Sequence, residues 1–250
     1  MKIFNELADL YPLWRSALQG KNGDEFDQAD YLYGILSEPP SRIRSVIDLG
    51  GGHGHHACPL SDKGLDMTVF DQSGSALDMV KKNNPGITTR LGSFETIEDN
   101  ESYDAAICMW STANYIMAPR DREHFYGWVD DHIGAVFILD QPNFARYPET
   151  FSCEYAVEDE RYSLHIQRRW HLGSDLIRRT EYAYNITYKE TGTRIAATDR
   201  ELQQFLTLDG IEVLLGRNWT LKYLNGNYSS GEAYDPKTST RMIAVFQRIA

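Results

Sequence analysis

Residues 45–140 alternate short apolar runs with helix-length stretches, whereas residues 150–250 are dominated by strict apolar–polar alternation. In the first zone Ser45–Leu49 reads as a buried strand, followed by a glycine-rich turn and a helix over about His55–Lys63. Met67–Phe70 is a second strand, Ser75–Asn83 a helix that Ser73 can cap, and Ile87–Leu91 a weaker strand. Tyr103–Met109 and Ala135–Asp140 are strong strands on either side of a helix over Asp121–Asp131. Strands alternating with helices predict a doubly wound, mostly parallel α/β sheet. Such sheets bind ligands outside the carboxyl ends of their strands, so chemistry is expected just after Leu49, Phe70, Leu91, Met109 and Leu139.

The second zone has a period of two. Tyr162, Leu164, Ile166, Trp170 and Leu172 take one face, interrupted by Arg168; Ser163, His165, Gln167, Arg169 and His171 take the other. A turn at Gly173-Ser174-Asp175 and renewed alternation over Leu176–Tyr188 predict an antiparallel hairpin, extended by Phe151–Val157. Asp199–Leu208 reads as a helix with Thr198 or Asp199 as cap. Gly210 then leads into Ile211–Leu215, and Met242–Ile249 makes a final strand. The hairpin falls between the fifth and sixth strands of the wound sheet and is therefore read as an inserted cap. The first 44 residues are aromatic-containing and helical in pieces, and Glu38-Pro39-Pro40-Ser41 breaks that segment before the first strand of the wound sheet.

Composition narrows the function. Twenty-five basic against 36 acidic residues leave a net charge of −11, a poor match to nucleic-acid phosphates or an anionic membrane. No apolar run reaches the roughly 18–20 residues a bilayer requires, and the opening MKIFNELADLYPLWRS does not read as a signal peptide. Cys58, Cys108 and Cys153 are far apart and odd in number, which is consistent with reduced thiols in the cytoplasm. Neither a nucleic-acid nor a membrane partner is expected.

The most informative segment is Val46-Ile47-Asp48-Leu49-Gly50-Gly51-Gly52-His53-Gly54. Glycines permit φ > 0 and close approach of a ligand to backbone. A dinucleotide fingerprint would need a third glycine at position 55, which is His55; the spacing present is DxGxGxG, from Asp48, Gly50, Gly52 and Gly54. Asp48 can accept a hydrogen bond from a ligand ammonium or organise the loop through water. This segment resembles the first motif of the class I S-adenosylmethionine-dependent methyltransferases. Asp71 ends the second strand, with Gln72 beside it, as that family's ribose-binding acid does. The run Cys108-Met109-Trp110-Ser111-Thr112-Ala113-Asn114-Tyr115 is similar to the segment after the fourth strand in glycine/sarcosine and aminosugar N-methyltransferases. Ile138-Leu139-Asp140-Gln141-Pro142-Asn143-Phe144 is similar to their acid…Asn-aromatic run. The likeness covers about residues 40–145. Where the family often has an Asp for the adenine amino group, this chain has Gly92-Ser93-Phe94-Glu95, so Ser93 supplies the hydrogen bond and Phe94 the packing surface.

The resemblance implies a seven-stranded Rossmann-like sheet with S-adenosylmethionine as cofactor. It implies an N-terminal helical lid over 1–44, a cofactor-binding domain over 45–145 and 196–250, and an antiparallel cap over 146–195. Tyr11, Trp14, Asp48, Gly50, Gly52, Gly54, Asp71, Gln72, Ser93, Phe94 and Met109 are the cofactor candidates, and Trp110, Asn114, Tyr115, Gln141 and Asn143 the substrate candidates. Asp140, His165 and His171 are candidate bases. Tyr11 and Trp14 also fit a buried helical stripe. Tyr182, Tyr184 and Tyr188 fit either an aromatic substrate wall or a packed sheet face, and His165 and His171 fit a solvent-facing strand edge. His53, His55 and His56 sit in a glycine turn without a carboxylate or thiolate set, and a catalytic zinc site generally needs three convergent protein ligands, so no metal is expected. The implied activity is methyl transfer to a nitrogen, before oxygen, of a small metabolite, by a chain that can act as a homodimer. Two other readings stay open: a nucleotide-dependent oxidoreductase and a non-catalytic cofactor-binding scaffold.

Overall fold

The computed structural model describes residues 3, 6–19, 28–39, 43–98, 100–228 and 232–249. The chain divides into two compact units, Met1–Glu25 with Tyr147–Gln204, and Phe26–Arg146 with Phe205–Ala250. Among the described residues Cys58, Cys108 and Cys153 are all free thiols, and no helix is long and apolar enough to cross a membrane.

The larger unit is built on β1 (Ser45–Leu49), β2 (Asp66–Asp71), β3 (Thr88–Leu91), β4 (Tyr103–Cys108), β5 (Ile133–Pro142), β10 (Trp219–Asn225) and β11 (Arg241–Arg248). Their order is β10-β11-β5-β4-β1-β2-β3. β11 runs antiparallel to both neighbours, and the remaining pairs are parallel. The expected seven-stranded sheet is therefore present. Its order reverses between β4 and β1, and the crevice at such a reversal is where doubly wound sheets bind ligands. Both faces are buried, as a parallel sheet requires. Val46, Ile107, Ile138 and Val245 pack with Ala29, Leu32 and Leu36 of α2 (Gln28–Leu36), Leu60 of α3 (Ala57–Asp62) and Leu77 and Val80 of α4 (Gly74–Asn83). On the other face Ile47, Leu49, Ala106, Phe137 and Phe246 pack with Phe125 and Val129 of α5 (Pro119–His132) and with Ile211 and Leu215 of α6 (Leu208–Leu215). Ser73 caps α4 through Ala76 N–H.

The smaller unit is a four-stranded antiparallel sheet of β6 (Thr150–Glu158), β7 (Tyr162–Leu172), β8 (Ile177–Tyr188) and β9 (Arg194–Gln204), in sequential order. Half of one face is apolar. There Tyr162, Leu164, Ile166, Tyr184 and Ile186 cluster with Leu10 and with Trp14 and Ala17 of α1 (Tyr11–Gln19).

Three local expectations are corrected. Asp199–Leu208 is not a helix: β9 pairs with β8 along eleven consecutive residues. Glu201, Leu202 and Gln203 are good helix formers, and edge pairing to β8 overrides that preference. The helix lies further on, at Leu208–Leu215, capped by Thr207 through Gly210 N–H at 3.1 Å rather than by Thr198 or Asp199. Ile211–Leu215 is therefore helical, and β10 takes the sheet position. The helix expected from His55 starts at Ala57 and spans six residues, after the positive-φ turn at Gly54.

By Cα proximity α2 groups with the seven-stranded sheet and β9 with the four-stranded one.

Candidate functional site

β1 delivers Asp48 into an apolar face, next to Val46, and then turns through glycines. Gly50, Gly52 and Gly54 hold φ of +74°, +53° and +76°, which other residues adopt only with strain. Three of the loop's glycines are walled in. A Cβ at Gly50 would lie 2.1 Å from Thr112 Cγ2 and 3.3 Å from Phe94 Cζ. One at Gly51 would lie 2.6 Å from the Asp48 carboxylate, and one at Gly54 would lie 2.8 Å from Cys58 Sγ. At Gly52 the sole neighbour within 4 Å is Asp71 Oδ2, at 3.9 Å. The loop thus opens at Gly52, beside an acid.

That acid ends β2 and ties the loop to the next helix. Gly52 N–H donates to Asp71 Oδ2 at 2.9 Å, and Ser73 N–H donates to Oδ1 at 2.8 Å. Each oxygen retains a lone pair, so the carboxylate can accept two further hydroxyl groups. Burial pushes the Asp71 pKa up, opposed by those backbone donors. Asp48 is 1% exposed, and its Oδ2 has no hydrogen-bond partner among the described residues. Burial, and then repulsion from Asp71, push its pKa up to about 8. A buried acid with an orphan oxygen fits a site whose occupant brings a donor or a positive charge.

Other predicted residues gather around the same strand ends. Phe94 packs against Phe70, centroids 6.0 Å apart, and against Phe125 at 4.8 Å. The Ser93 hydroxyl is engaged by the Glu95 side chain, so it caps its own turn. Gln72 is exposed and Met109 is buried. After β4, Trp110 and Ser111 hold φ of +58° and +66°. Two adjacent non-glycine residues in this region carry strain of roughly 1–3 kcal/mol each and are a hallmark of functional turns. The turn is clamped from several sides. Trp110 Nε1–H donates to Gln28 Oε1 at 2.8 Å, and His56 Nε2 lies 2.8 Å from the same oxygen. Ser111 N–H donates to the Asp140 carbonyl at 3.1 Å and to its Oδ1 at 3.3 Å.

The polar residues at the carboxyl end of β5 all have hydrogen-bond partners within the protein. Asp140 Oδ2 accepts from Tyr228 OH and from Arg241 Nε, and Arg241 also reaches Ser111 Oγ at 3.3 Å. Asn114 Nδ2 donates to Gln141 Oε1 at 2.8 Å, while Gln141 Nε2 donates to Leu206 O at 2.5 Å. Asn143 donates to Pro236 O and Ser239 O and accepts from Tyr234 OH at 2.8 Å. Asp140, Gln141 and Asn143 are thereby loop staples in this structure; a proton-abstracting Asp140 would first have to leave Arg241. Tyr115 is half-buried on the 3-10 turn Thr112–Tyr115.

Tyr11, Trp14, His165 and His171 belong to the other unit. Trp14 packs on Tyr182 at 6.0 Å and Tyr11 stacks on Trp14 at 5.8 Å. His165 lies 3.4 Å from Glu154, and His171 is exposed. Sequence reasoning passed over Gln28, Tyr228 and Arg241. The one signal for Arg241 is a charge immediately before the apolar buried run Met242–Phe246. Among the described residues no cluster of three or more His, Cys, Asp or Glu side chains could hold a metal ion.

Comparison with known proteins gives the geometry a context. Residues 46–131 match a family model described as a methyltransferase domain. An S-adenosylmethionine-dependent methyltransferase from Clostridium acetobutylicum ATCC 824 superimposes with a TM-score of 0.79 at 14% identity, over 98% of this chain and 100% of that one. The chain has the class I S-adenosylmethionine-dependent methyltransferase fold. The sugar N-methyltransferase KedS8 from Streptoalloteichus sp ATCC 53650 is similar with a TM-score of 0.78 at 16% identity, over 96% and 93% of the two chains. CalS10, an amino pentose methyltransferase from Micromonospora echinaspora solved with S-adenosylmethionine bound, gives 0.74 at 15% identity, over 96% and 97%. No curated protein matches in sequence.

Proposed function

We propose that the chain binds S-adenosylmethionine at the turn after β1 and transfers its methyl group to a nitrogen of a small-molecule acceptor. The observation that carries this reading is the opening of the loop at Gly52 beside the two-oxygen face of Asp71, with the unpartnered Asp48 oxygen behind it. A vicinal diol suits the first carboxylate and an ammonium the second. Gly50 and Gly54 hold the loop's shape, and Phe94 offers a flat apolar surface next to Gly50.

When bound, the cofactor supplies an electrophilic methyl on a sulfonium, with a neutral thioether as leaving group. The chain's own task is then to hold an incoming nucleophile in line and to exclude water, which requires no covalent residue. An amine acceptor fits better than a hydroxyl. A hydroxyl needs a base to take its proton, and Asp140, the carboxylate at the end of β5, has its oxygens engaged by Ser111, Tyr228 and Arg241. The names of similar structures, a sugar N-methyltransferase and an amino pentose methyltransferase, support the same choice and a metabolite-sized acceptor. The net charge of −11 supports small molecules over nucleic acid.

Calorimetric titration with S-adenosylhomocysteine and with NAD tests the proposal. Binding of the first alone, lost in Gly52→Val, is the expected outcome. Binding of NAD alone would favour an oxidoreductase, and binding of neither would leave a scaffold. A methyl-transfer screen over amines and phenols then decides the acceptor atom.

A further inference from the structure

The turns after β1 and β4 touch each other. A Cβ at Gly50 would meet Thr112 Cγ2 at 2.1 Å, so the second turn abuts the glycine loop. The Trp110 indole lies against the His55 ring, centroids 4.8 Å apart, and meets His56 edge to face at 5.1 Å. Contact alone does not fix a turn, and Trp110 and Ser111 both hold positive φ. Such backbone persists only where its surroundings over-determine it.

One buried oxygen joins the two turns. Gln28, 5% exposed at the start of α2, places Oε1 2.8 Å from Trp110 Nε1 and 2.8 Å from His56 Nε2. An indole N–H can only donate, so the atom facing it is the amide oxygen and not the amide nitrogen. That oxygen can only accept, so His56 carries a proton on Nε2. Its two lone pairs are thereby used, one on each turn. His56 is also the residue from which α3 starts, at the exit of the glycine loop.

The helix that presents Gln28 is firmly held. Ala29, Leu32 and Leu36 bury one side of α2 in the core. Asp30 pairs with Lys63, which follows the last turn of α3. Tyr31 OH accepts from Asn225 Nδ2 of β10 at 2.7 Å. α2 therefore grips α3 at both ends, and Gln28 extends that grip to Trp110.

We propose that Gln28 is a positioning residue for cofactor binding. Its side-chain oxygen locks His56 and Trp110, and through them the glycine loop, in the shape that receives S-adenosylmethionine. The inference rests on the cofactor reading of that loop given above.

Calorimetric titration of the full chain with S-adenosylhomocysteine tests it. Gln28→Met keeps the length of the side chain and leaves two N–H groups without this acceptor; it is expected to weaken binding about tenfold. Gln28→Glu returns an oxygen to both donors and is expected to bind within about threefold of wild type. Leu36→Ala, which loosens α2 at its other end, is expected to lower the melting temperature and leave affinity unchanged. Undiminished binding by Gln28→Met would overturn the positioning role while the cofactor reading stands. So would a loss in Leu36→Ala as large as that in Gln28→Met, or a Gln28→Glu variant no better than Gln28→Met. Failure of the wild-type chain itself to bind would strike the cofactor reading, and this inference with it. A measurement on the wild-type chain covers the case in which Gln28→Met does not fold. In nitrogen NMR spectra at about pH 8.5, above the ordinary histidine range, His56 Nε2 is expected to carry a proton. An unprotonated Nε2 would overturn the lock.

Discussion

The carboxyl ends of β1 and β5 each hide an aspartate at 1% exposure, and the two are treated in opposite ways. At β5, Asp140 meets a guanidinium, a phenol and a backbone N–H. At β1, Asp48 keeps one oxygen without any partner among the described residues and has its pKa pushed up to about 8. Burial alone therefore does not separate structural from functional acids. What separates them is whether the protein itself completes the hydrogen bonds. A completed set fixes loops, and an incomplete one is held ready for something the chain does not contain.

The largest test of this contrast is to break the completed set. Arg241→Met leaves Asp140 charged and buried beneath Tyr228, and breaking a buried pair from one side costs about 3–5 kcal/mol. Urea unfolding should show that loss. A change under about 1 kcal/mol, the size of an ordinary exposed ion pair, would mean that Asp140 is not held by its guanidinium, and the distinction between the two ends of the sheet would collapse.

The incomplete set predicts an unusual pH dependence. In the unfolded chain Asp48 ionises near about 3.9; in the folded chain its pKa is about 8. Between those values the folded state holds a proton that the unfolded state has released, so stability falls as pH rises through the window. Asp71, also raised, acts in the same direction. Wild-type melting temperature should drop from about pH 5 to about pH 8, and Asp48→Asn should flatten much of that drop. Parallel curves for the two proteins would show that Asp48 does not titrate there.

Asp71 lies between the extremes, with two backbone partners and lone pairs to spare. If it grips a ribose, Asp71→Ala should weaken S-adenosylhomocysteine by about 1.5–3 kcal/mol, the range for hydrogen bonds to charged groups. Unchanged affinity in calorimetry would remove Asp71 from the site.

These differences are unevenly legible in the sequence. The wound sheet can be read because buried parallel strands are continuous apolar runs, and the glycine turn because spacing and residue type alone carry its conformation. Asp48 and Asp140 look alike in sequence, each an acid at the end of an apolar strand. Their partners lie far along the chain, as Arg241 is 101 residues from Asp140. β9 escapes a local reading for a related reason. Its residues prefer helix locally, and its strand state comes from pairing with β8. Gly51 can be read as a small residue, but not that its missing side chain leaves room for the Asp48 carboxylate.

The smallest effect sharpens the comparison most. Tyr228→Phe removes one donor from Asp140 Oδ2 and leaves the Arg241 contact in place. The ring keeps its edge contact with Tyr31, at 5.7 Å, so packing is preserved. Losing one hydrogen bond to a still-paired charge should cost about 1.5 kcal/mol in urea unfolding, well below the loss from Arg241→Met. That ordering is what a carboxylate neutralised by its guanidinium and only trimmed by its phenol requires. Equal losses from the two variants would make the phenol the chief counter-group. Asp140 would then be closer in kind to Asp48 than its three partners suggest, and the case against it as a base would weaken with it.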